Sequence, residues 1–70
     1  MSEFFHVTCL ADGKRAMIRA SSVVAVYEYG EEENPYGVKP AHTEISCGSE
    51  TVDVVEGYDE VCNMIYDAEL

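Results

Sequence analysis

Apolar and polar residues alternate from Phe4 to Tyr29, and this period of two predicts antiparallel β-strands. Residues 4–10 and 14–20 flank Asp12-Gly13, a dipeptide that favours a two-residue type I′ hairpin turn. In the register set by this turn, the opposed residues of the inner face are all apolar: Phe5 with Ala20, Val7 with Ile18, and Cys9 with Ala16. The outer face carries the pairs Phe4–Ser21, His6–Arg19, Thr8–Met17 and Leu10–Arg15. Turn chemistry and alternation agree, so the sequence predicts this hairpin.

A third strand and a long connection follow the first hairpin. Residues 22–29 are rich in β-branched and aromatic residues, which predicts a strand after a short turn at Ser21-Ser22. Residues 30–41 contain two glycines, two prolines, an asparagine and three consecutive glutamates. This composition predicts a loop, and loops of that length are usually functional or disordered.

Residues 42–47 and 50–55 predict a second hairpin, whose register the sequence leaves open. A type II′ turn at Gly48-Ser49 places Glu44 opposite Asp53 on the outer face, where like charges cost up to about 1 kcal/mol. A four-residue loop, with Cys47 opposite Val52, removes that contact. In both registers the inner face carries Ile45, Cys47, Val52 and Val54, and the outer face is acidic.

From Tyr58 to Glu69 the apolar period changes to 3.6, which predicts an amphipathic helix. Its apolar stripe consists of Tyr58, Val61, Cys62, Ile65 and Ala68. Gly57 is a suitable N-cap, and the two acids that follow Tyr58 complement the helix dipole. The element order predicts a single α+β domain over residues 1–70: a five-stranded antiparallel sheet, made of two β-hairpins plus a middle strand, with one C-terminal helix packed on one face.

Charge is distributed unevenly along the chain. The 70 residues include 14 acidic and 4 basic ones, for a net charge of −10. Residues 1–27 have a net charge of +1, whereas residues 28–70 contain twelve acids and only Lys39, for a net charge of −11. A surface of this sign repels nucleic acid and anionic lipid within a Debye length of about 8 Å. We therefore expect no direct binding of nucleic acid, and a partner protein with a basic surface.

Compartment and cofactors are also constrained by the sequence. No apolar run approaches the length of a membrane span, and Met1-Ser2-Glu3 lacks the start of a signal peptide, so we expect a cytoplasmic protein that does not bind membranes. Three cysteines cannot all pair, and the spacing of Cys9, Cys47 and Cys62 matches no zinc signature. We expect free thiols in a reducing compartment, with no metal and no cofactor.

Candidate catalytic groups are few. We interpret His6, opposite Arg19, and His42, at a loop–strand junction, as exposed histidines without an activating partner. The sequence contains no nucleophile elbow and no glycine-rich phosphate motif. Arg15 and Arg19 share a face that could hold a small anion, although cross-strand salt bridges are their more ordinary role. We predict that the protein is not an enzyme.

Two surfaces are candidates for contact with a partner. On the first, tyrosines offer rigid contact area and carboxylates attract basic groups. Its predicted partner-binding residues are Tyr29, Glu31, Glu32, Glu33, Tyr36, Glu44 and Asp53. The second is an apolar patch rimmed by charge on the outer face of the first hairpin. This secondary contact face consists of Phe4, Leu10, Met17, Arg15 and Arg19.

Four stretches of the chain resemble one protein family. They are V-T-x-L-x-D-G-K-x-x-x-I (Val7 to Ile18), S-x-V-x-x-V (Ser21 to Val26), T-x-I (Thr43 to Ile45) and V-x-V-x-E-x-Y-x-E-V (Val52 to Val61). The pattern resembles the small FlbD-type flagellar and swarming-motility proteins and similar uncharacterised phage and mobile-element proteins. This chain departs from it in a longer segment 30–41, a tighter second hairpin and Gly57 in place of the usual Ser cap. The resemblance implies no catalytic residues.

Three functions are compatible with these features. The leading hypothesis is a non-enzymatic acidic protein-binding module: a phage or mobile-element inhibitor that blocks a basic, nucleic-acid-binding surface of a host effector, as anti-CRISPR proteins and DNA mimics do. The first alternative is a motility-related adaptor that binds through an apolar sheet face. The second is an oligomeric binder of a small anion such as a nucleotide signal. Open sheet edges make a homodimer compatible with all three.

Overall fold

The computed structural model describes residues 3–69, in which seven strands precede one helix. The elements are β1 (Phe4–Thr8), β2 (Arg15–Arg19), β3 (Ala25–Tyr29), β4 (Glu32–Asn34), β5 (Gly37–Lys39), β6 (His42–Ser46), β7 (Thr51–Val54) and α1 (Tyr58–Glu69), with a 3-10 turn (Ala20–Ser22) between β2 and β3. The predicted α+β class and the C-terminal helix are confirmed. Met1, Ser2 and Leu70, at the ends of the predicted domain, lie outside the described residues.

The strands form three antiparallel sheets, so the predicted five-stranded sheet is wrong. β1 pairs with β2, β3-β6-β7 form a three-stranded sheet in that order, and β4 pairs with β5. A single bridge between Cys9 and Val54 joins the first two sheets, where the Val55 N–H donates to the Thr8 carbonyl oxygen at 3.0 Å. Only the ends of β1 and β7 meet, so their pairing is too short to merge the sheets.

The first hairpin has a register two positions from the predicted one. The observed pairs are Phe4–Arg19, Phe5–Ile18, His6–Met17, Val7–Ala16 and Thr8–Arg15, so the predicted pairs Phe5–Ala20, Val7–Ile18, Cys9–Ala16 and His6–Arg19 are wrong. A type I′ turn needs a positive φ at both central residues, but here Gly13 has a φ of 71° and Asp12 does not have a positive φ. A four-residue loop forms instead, closed by the Cys9 N–H donating to the Lys14 carbonyl oxygen at 2.8 Å. A shift of two leaves each side chain on its predicted face.

Residues 30–41, predicted as a loop, form an antiparallel ribbon, which we call the acidic ribbon. Pairing of β3 with β6 ends at Tyr29–His42 and resumes in the same register at Glu32–Lys39, after two unpaired residues on each strand. Pro40, which has no N–H to donate, lies in this break. The acidic ribbon is therefore a continuation of the β3–β6 pair.

The tip of the acidic ribbon is a tight turn at Pro35-Tyr36. The Tyr36 N–H donates to Asn34 Oδ1 at 2.9 Å, and Gly37 has a φ of 139°. Asn, Pro and Gly at the first, second and fourth positions are favoured in type I turns. The sequence therefore contained a turn signal at residues 34–37.

The second hairpin has the tighter of the two registers considered. Gly48 has a φ of 83° and Ser49 does not have a positive φ, which fits a type II′ turn. Glu44 lies opposite Asp53, so the alternative register with the four-residue loop is excluded. The predicted inner face is confirmed, with Ile45 fully buried.

A single hydrophobic cluster packs the helix against the sheets. Its buried members are Phe5, Val7, Ile18, Ala20, Ile45, Val54 and Val61. Helix α1 covers the predicted residues, and the Gly57 carbonyl oxygen accepts the Val61 N–H at 2.9 Å. In the part of the chain that the structure describes, no helix has the length and apolarity that crossing a membrane requires.

Candidate functional site

The acidic ribbon and the sheet surface at its base form the candidate site. All residues from 27 to 41 are exposed, so both faces of the ribbon contact water. The described chain measures 44 Å along its longest axis against 21 and 20 Å along the others. The acidic ribbon thus projects from the packed part of the molecule as an ordered arm.

At the base of the acidic ribbon, acids and tyrosines form rows across the sheet. Tyr27 lies opposite Glu44, which in turn lies opposite Asp53, so the three residues form one row over β3, β6 and β7. Tyr29 and His42 form the next row towards the ribbon. These five residues, on the face turned away from the hydrophobic cluster, are called the acidic face below.

His42 is buried in this face, and the prediction that it is exposed is wrong. Its ring stacks on Tyr29 with centroids 5.1 Å apart and planes 6° from parallel. Nδ1 lies 3.0 Å from the Pro40 carbonyl oxygen, which can only accept, so this nitrogen donates a hydrogen bond. Nε2 lies 3.8 Å from the Asp53 carboxylate. The Nδ1 hydrogen bond and the burial of His42 hold its ring in place, and Tyr29 stacks on that ring.

Tyr29 is held as a neutral phenol. The negative charge of Glu44, with smaller contributions from burial and from Asp53, raises the pKa of Tyr29 above its ordinary value. Its side chain is exposed despite the stacking on His42. Tyr29 therefore presents a ring of fixed orientation whose hydroxyl remains a hydrogen-bond donor well above neutral pH.

Glu44 and Asp53 are like charges on directly opposed residues. Such pairs destabilise a sheet. Within residues 3–69 no Lys or Arg forms an ion pair with either carboxylate. Among these residues, the Asp53 carboxylate makes only a weak contact with His42, and the Glu44 carboxylate interacts only with the neutral Tyr29 hydroxyl. The acidic face thus has a local excess of negative potential that a cation from outside would relieve.

The predicted partner-binding residues fall into two adjoining groups. Four lie on the acidic ribbon and three on the acidic face: Glu31, Glu32, Glu33 and Tyr36, and Tyr29, Glu44 and Asp53. Tyr36, at the ribbon tip, is 99% exposed. Sequence reasoning missed Tyr27, although alternation with Tyr29 was a signal that the two share a face.

The secondary contact face is partly occupied by internal contacts. The Arg19 guanidinium lies 4.9 Å from the centre of the Phe4 ring and 3.4 Å from the Glu3 carboxylate. Leu10 lies in the turn region and is partly buried, whereas Met17 and Arg15 are exposed. Arg19 therefore has the ordinary cross-strand role considered for it in the sequence analysis.

Hydrogen bonds between Thr8 and Glu56, neither of which is a predicted site residue, tie the first hairpin to the sheet. The Thr8 N–H donates to Glu56 Oε1 at 2.8 Å and the Thr8 hydroxyl to Oε2 at 2.9 Å. The Thr43 hydroxyl donates to the Glu56 carbonyl oxygen at 2.7 Å. Burial acts to raise the pKa of Glu56, but the hydrogen bonds outweigh it and hold the pKa below its ordinary value. Thr8 and Glu56 both belong to the motifs quoted above, and this was the feature of the sequence that could have drawn attention to them.

The remaining titratable groups do not assemble into a metal centre. Among residues 3–69, no three His, Cys, Asp or Glu side chains come close enough to hold a metal ion. Cys9, Cys47 and Cys62 are free thiols, each partly buried.

Comparisons with protein-family models, with curated proteins and with solved structures found no match to the chain. The resemblance to FlbD-type proteins stays a prediction.

Proposed function

We propose that this protein is a non-enzymatic binding module whose acidic ribbon and acidic face dock on a basic surface of a larger protein. The observation that carries the proposal is the Glu44–Asp53 pair, opposed at the base of a projecting acidic arm and, within residues 3–69, without a Lys or Arg partner. A Lys or Arg from a partner, placed between the two carboxylates, would remove their repulsion. The repulsion in the free protein would then favour complex formation.

The tyrosines are suited to anchor the complex. Tyr29 is already oriented by stacking on His42. Ordering a flexible side chain on binding costs about 0.5–1.5 kcal/mol, and this cost is reduced for a ring that is held in place beforehand. Tyr36 at the tip and Tyr27 in the acidic face add exposed aromatic area on either side of Tyr29.

The class of partner follows from the charges. A protein surface that binds nucleic acid presents clustered Lys and Arg to phosphate groups. Carboxylates displayed on an ordered ribbon can occupy the same basic groups and exclude the nucleic acid. We therefore assign the module to the inhibitor class, in which an acidic protein competes with DNA or RNA for an effector.

A competition experiment tests this function. The immobilised protein is exposed to a nuclease-treated bacterial lysate at physiological and at high salt. We expect retained proteins to be released by high salt and, separately, by added duplex DNA or RNA, because the acidic ribbon and the nucleic acid would use one surface.

The decisive variant is the triple substitution E31Q/E32Q/E33Q, which removes three charges from the acidic ribbon. Its matched control, E50Q/E60Q/D67N, removes three exposed charges elsewhere and leaves the same net charge. Retention should fall strongly for the ribbon variant and little for the control. Equal retention by both variants, or retention that neither salt nor nucleic acid affects, contradicts the proposed function.

A further inference from the structure

An apolar groove lies between helix α1 and strand β3, away from the acidic ribbon. Its volume is about 360 Å³. Most of its lining is apolar, contributed chiefly by Val23, Val24, Val26, Cys62, Ile65 and Tyr66. No residue of β6 or β7 lines it, so it runs beside β3 without reaching the middle of the sheet.

Strand β3 is an open edge of its sheet. In the order β3-β6-β7 it has a neighbour on one side only, within residues 3–69. The backbone N–H and C=O groups that point away from β6 are therefore available to another strand. Edge strands are commonly protected by Lys, Pro or bulges, but β3 contains one charge, Glu28, and no proline. Val24, directly before the strand, is 73% exposed.

The charges near this edge favour an occupant that is positively charged. On the face of the sheet opposite the groove, Tyr27 of β3 lies beside Glu44 of β6, and no Lys or Arg is among the groove residues. A second copy of the chain would bring a further net charge of −10 to the same edge. A basic segment of another protein would instead meet complementary charge.

We propose that β3 and the groove take up an extended peptide segment in which apolar and basic residues alternate. The segment adds to the edge of β3 as a further strand. Because side chains of a strand point alternately to the two faces, its apolar side chains enter the groove and its basic ones lie beside Tyr27 on the opposite face. There a Lys or Arg can contact the exposed Tyr27 ring and approach Glu44 in the next strand. This site does not depend on the acidic ribbon.

A peptide titration tests the site directly. The probe is a heptapeptide of alternating lysine and valine with blocked ends, added to the full-length ¹⁵N-labelled protein. We expect chemical-shift changes at the amides of residues 24–29 and at Cys62 and Tyr66, with slower hydrogen exchange in β3. A second peptide carries N-methyl groups on alternate backbone nitrogens, so that it cannot donate to β3. It should bind about tenfold more weakly, since strand pairing through several hydrogen bonds is lost.

Two variants with the same charge change locate the binding. Val24→Lys places a cation at the edge and should weaken binding of the lysine–valine peptide about tenfold or more. Val55→Lys is the control, because Val55 is half-exposed and does not line the groove. Thermal unfolding of both variants verifies that they fold.

Four outcomes would overturn the proposal: shift changes confined to residues 31–39, equal binding of the two peptides, equal weakening by the two variants, or a protein dimer that occupies β3 and excludes the peptide. The first of these would still leave the acidic ribbon as a binding surface. Conversely, E31Q/E32Q/E33Q should leave β3 pairing in place, so the two proposals fail separately.

Discussion

The first hairpin and the acidic ribbon are both antiparallel pairs of strands, but different forces hold them. In the first hairpin one face is packed in the core, with Phe5 and Val7 almost completely buried. In the acidic ribbon every residue is exposed, and order comes from the register continued from β3–β6 and from the turn at Pro35-Tyr36. The comparison shows that a ribbon without a buried face can extend from a packed one. Its side chains are then free to serve recognition.

The largest expected difference between the two regions is in stability. Phe5→Ala removes a buried ring and should cost about 3–5 kcal/mol, a large part of the roughly 4–10 kcal/mol expected for a domain of this size. Tyr36→Ala removes an aromatic ring from the ribbon tip and should change stability by less than about 0.5 kcal/mol. Urea unfolding followed by circular dichroism measures both. Similar losses in the two variants would show that the acidic ribbon is part of the cooperative core.

A smaller effect is expected at the contact that fastens the first hairpin to the sheet. Glu56→Gln replaces the carboxylate that accepts two hydrogen bonds from Thr8 and should cost about 1.5–3 kcal/mol at neutral pH. The pKa of Glu56 is lower in the folded than in the unfolded protein. Its contribution is therefore complete above the unfolded-state pKa and is lost as the pH falls through the folded-state pKa.

Unfolding of wild type and Glu56→Gln across the acidic range measures this loss. The difference in unfolding free energy between the two proteins should shrink as the pH falls. A difference that stays constant from neutral to acidic pH would mean that the charge of Glu56 is not what Thr8 recognises.

The smallest effect on the whole molecule should come from the ribbon turn. Gly37 has a φ of 139°, which other residues adopt only at a cost of about 1–3 kcal/mol. Gly37→Ala should accelerate hydrogen exchange of the β4 and β5 amides, while global stability changes by less than about 0.5 kcal/mol. A loss of global stability as large as the local loss in β4 and β5 would show that the acidic ribbon and the packed hairpin do not differ in how they are stabilised.

Elements with one buried face were the predictable part of the fold. Burial of one face leaves a period of two or 3.6 in the sequence, which located the strands of the two hairpins and the bounds of α1. The first register was missed because alternation does not distinguish a shift of two residues. In addition, Asp12 does not adopt the positive φ that the predicted type I′ turn requires. Its carboxylate accepts the Lys14 N–H at 2.9 Å and stabilises a longer loop.

The acidic ribbon was missed for the opposite reason. Both of its faces contact water, so its strands show no alternation of apolar and polar residues. Only the Asn-Pro-Tyr-Gly turn indicated a hairpin. The proposed contact residues could be predicted from composition, since acids and tyrosines are concentrated from residue 27 onwards. The burial of His42 was not, because it depends on the cross-strand position of Tyr29. The Thr8–Glu56 contact joins residues 48 positions apart, a separation that no local pattern reveals.

The register shared across the break at residues 30–31 and 40–41 makes the reach of the arm adjustable. Residues inserted in equal number before Asn34 and after Gly37 would lengthen the arm by about 3.4 Å per added pair, keep the turn at residues 34–37 and leave every core pairing as it is. Related chains could diverge in this dimension alone, and a designer could graft a foreign epitope at the same point.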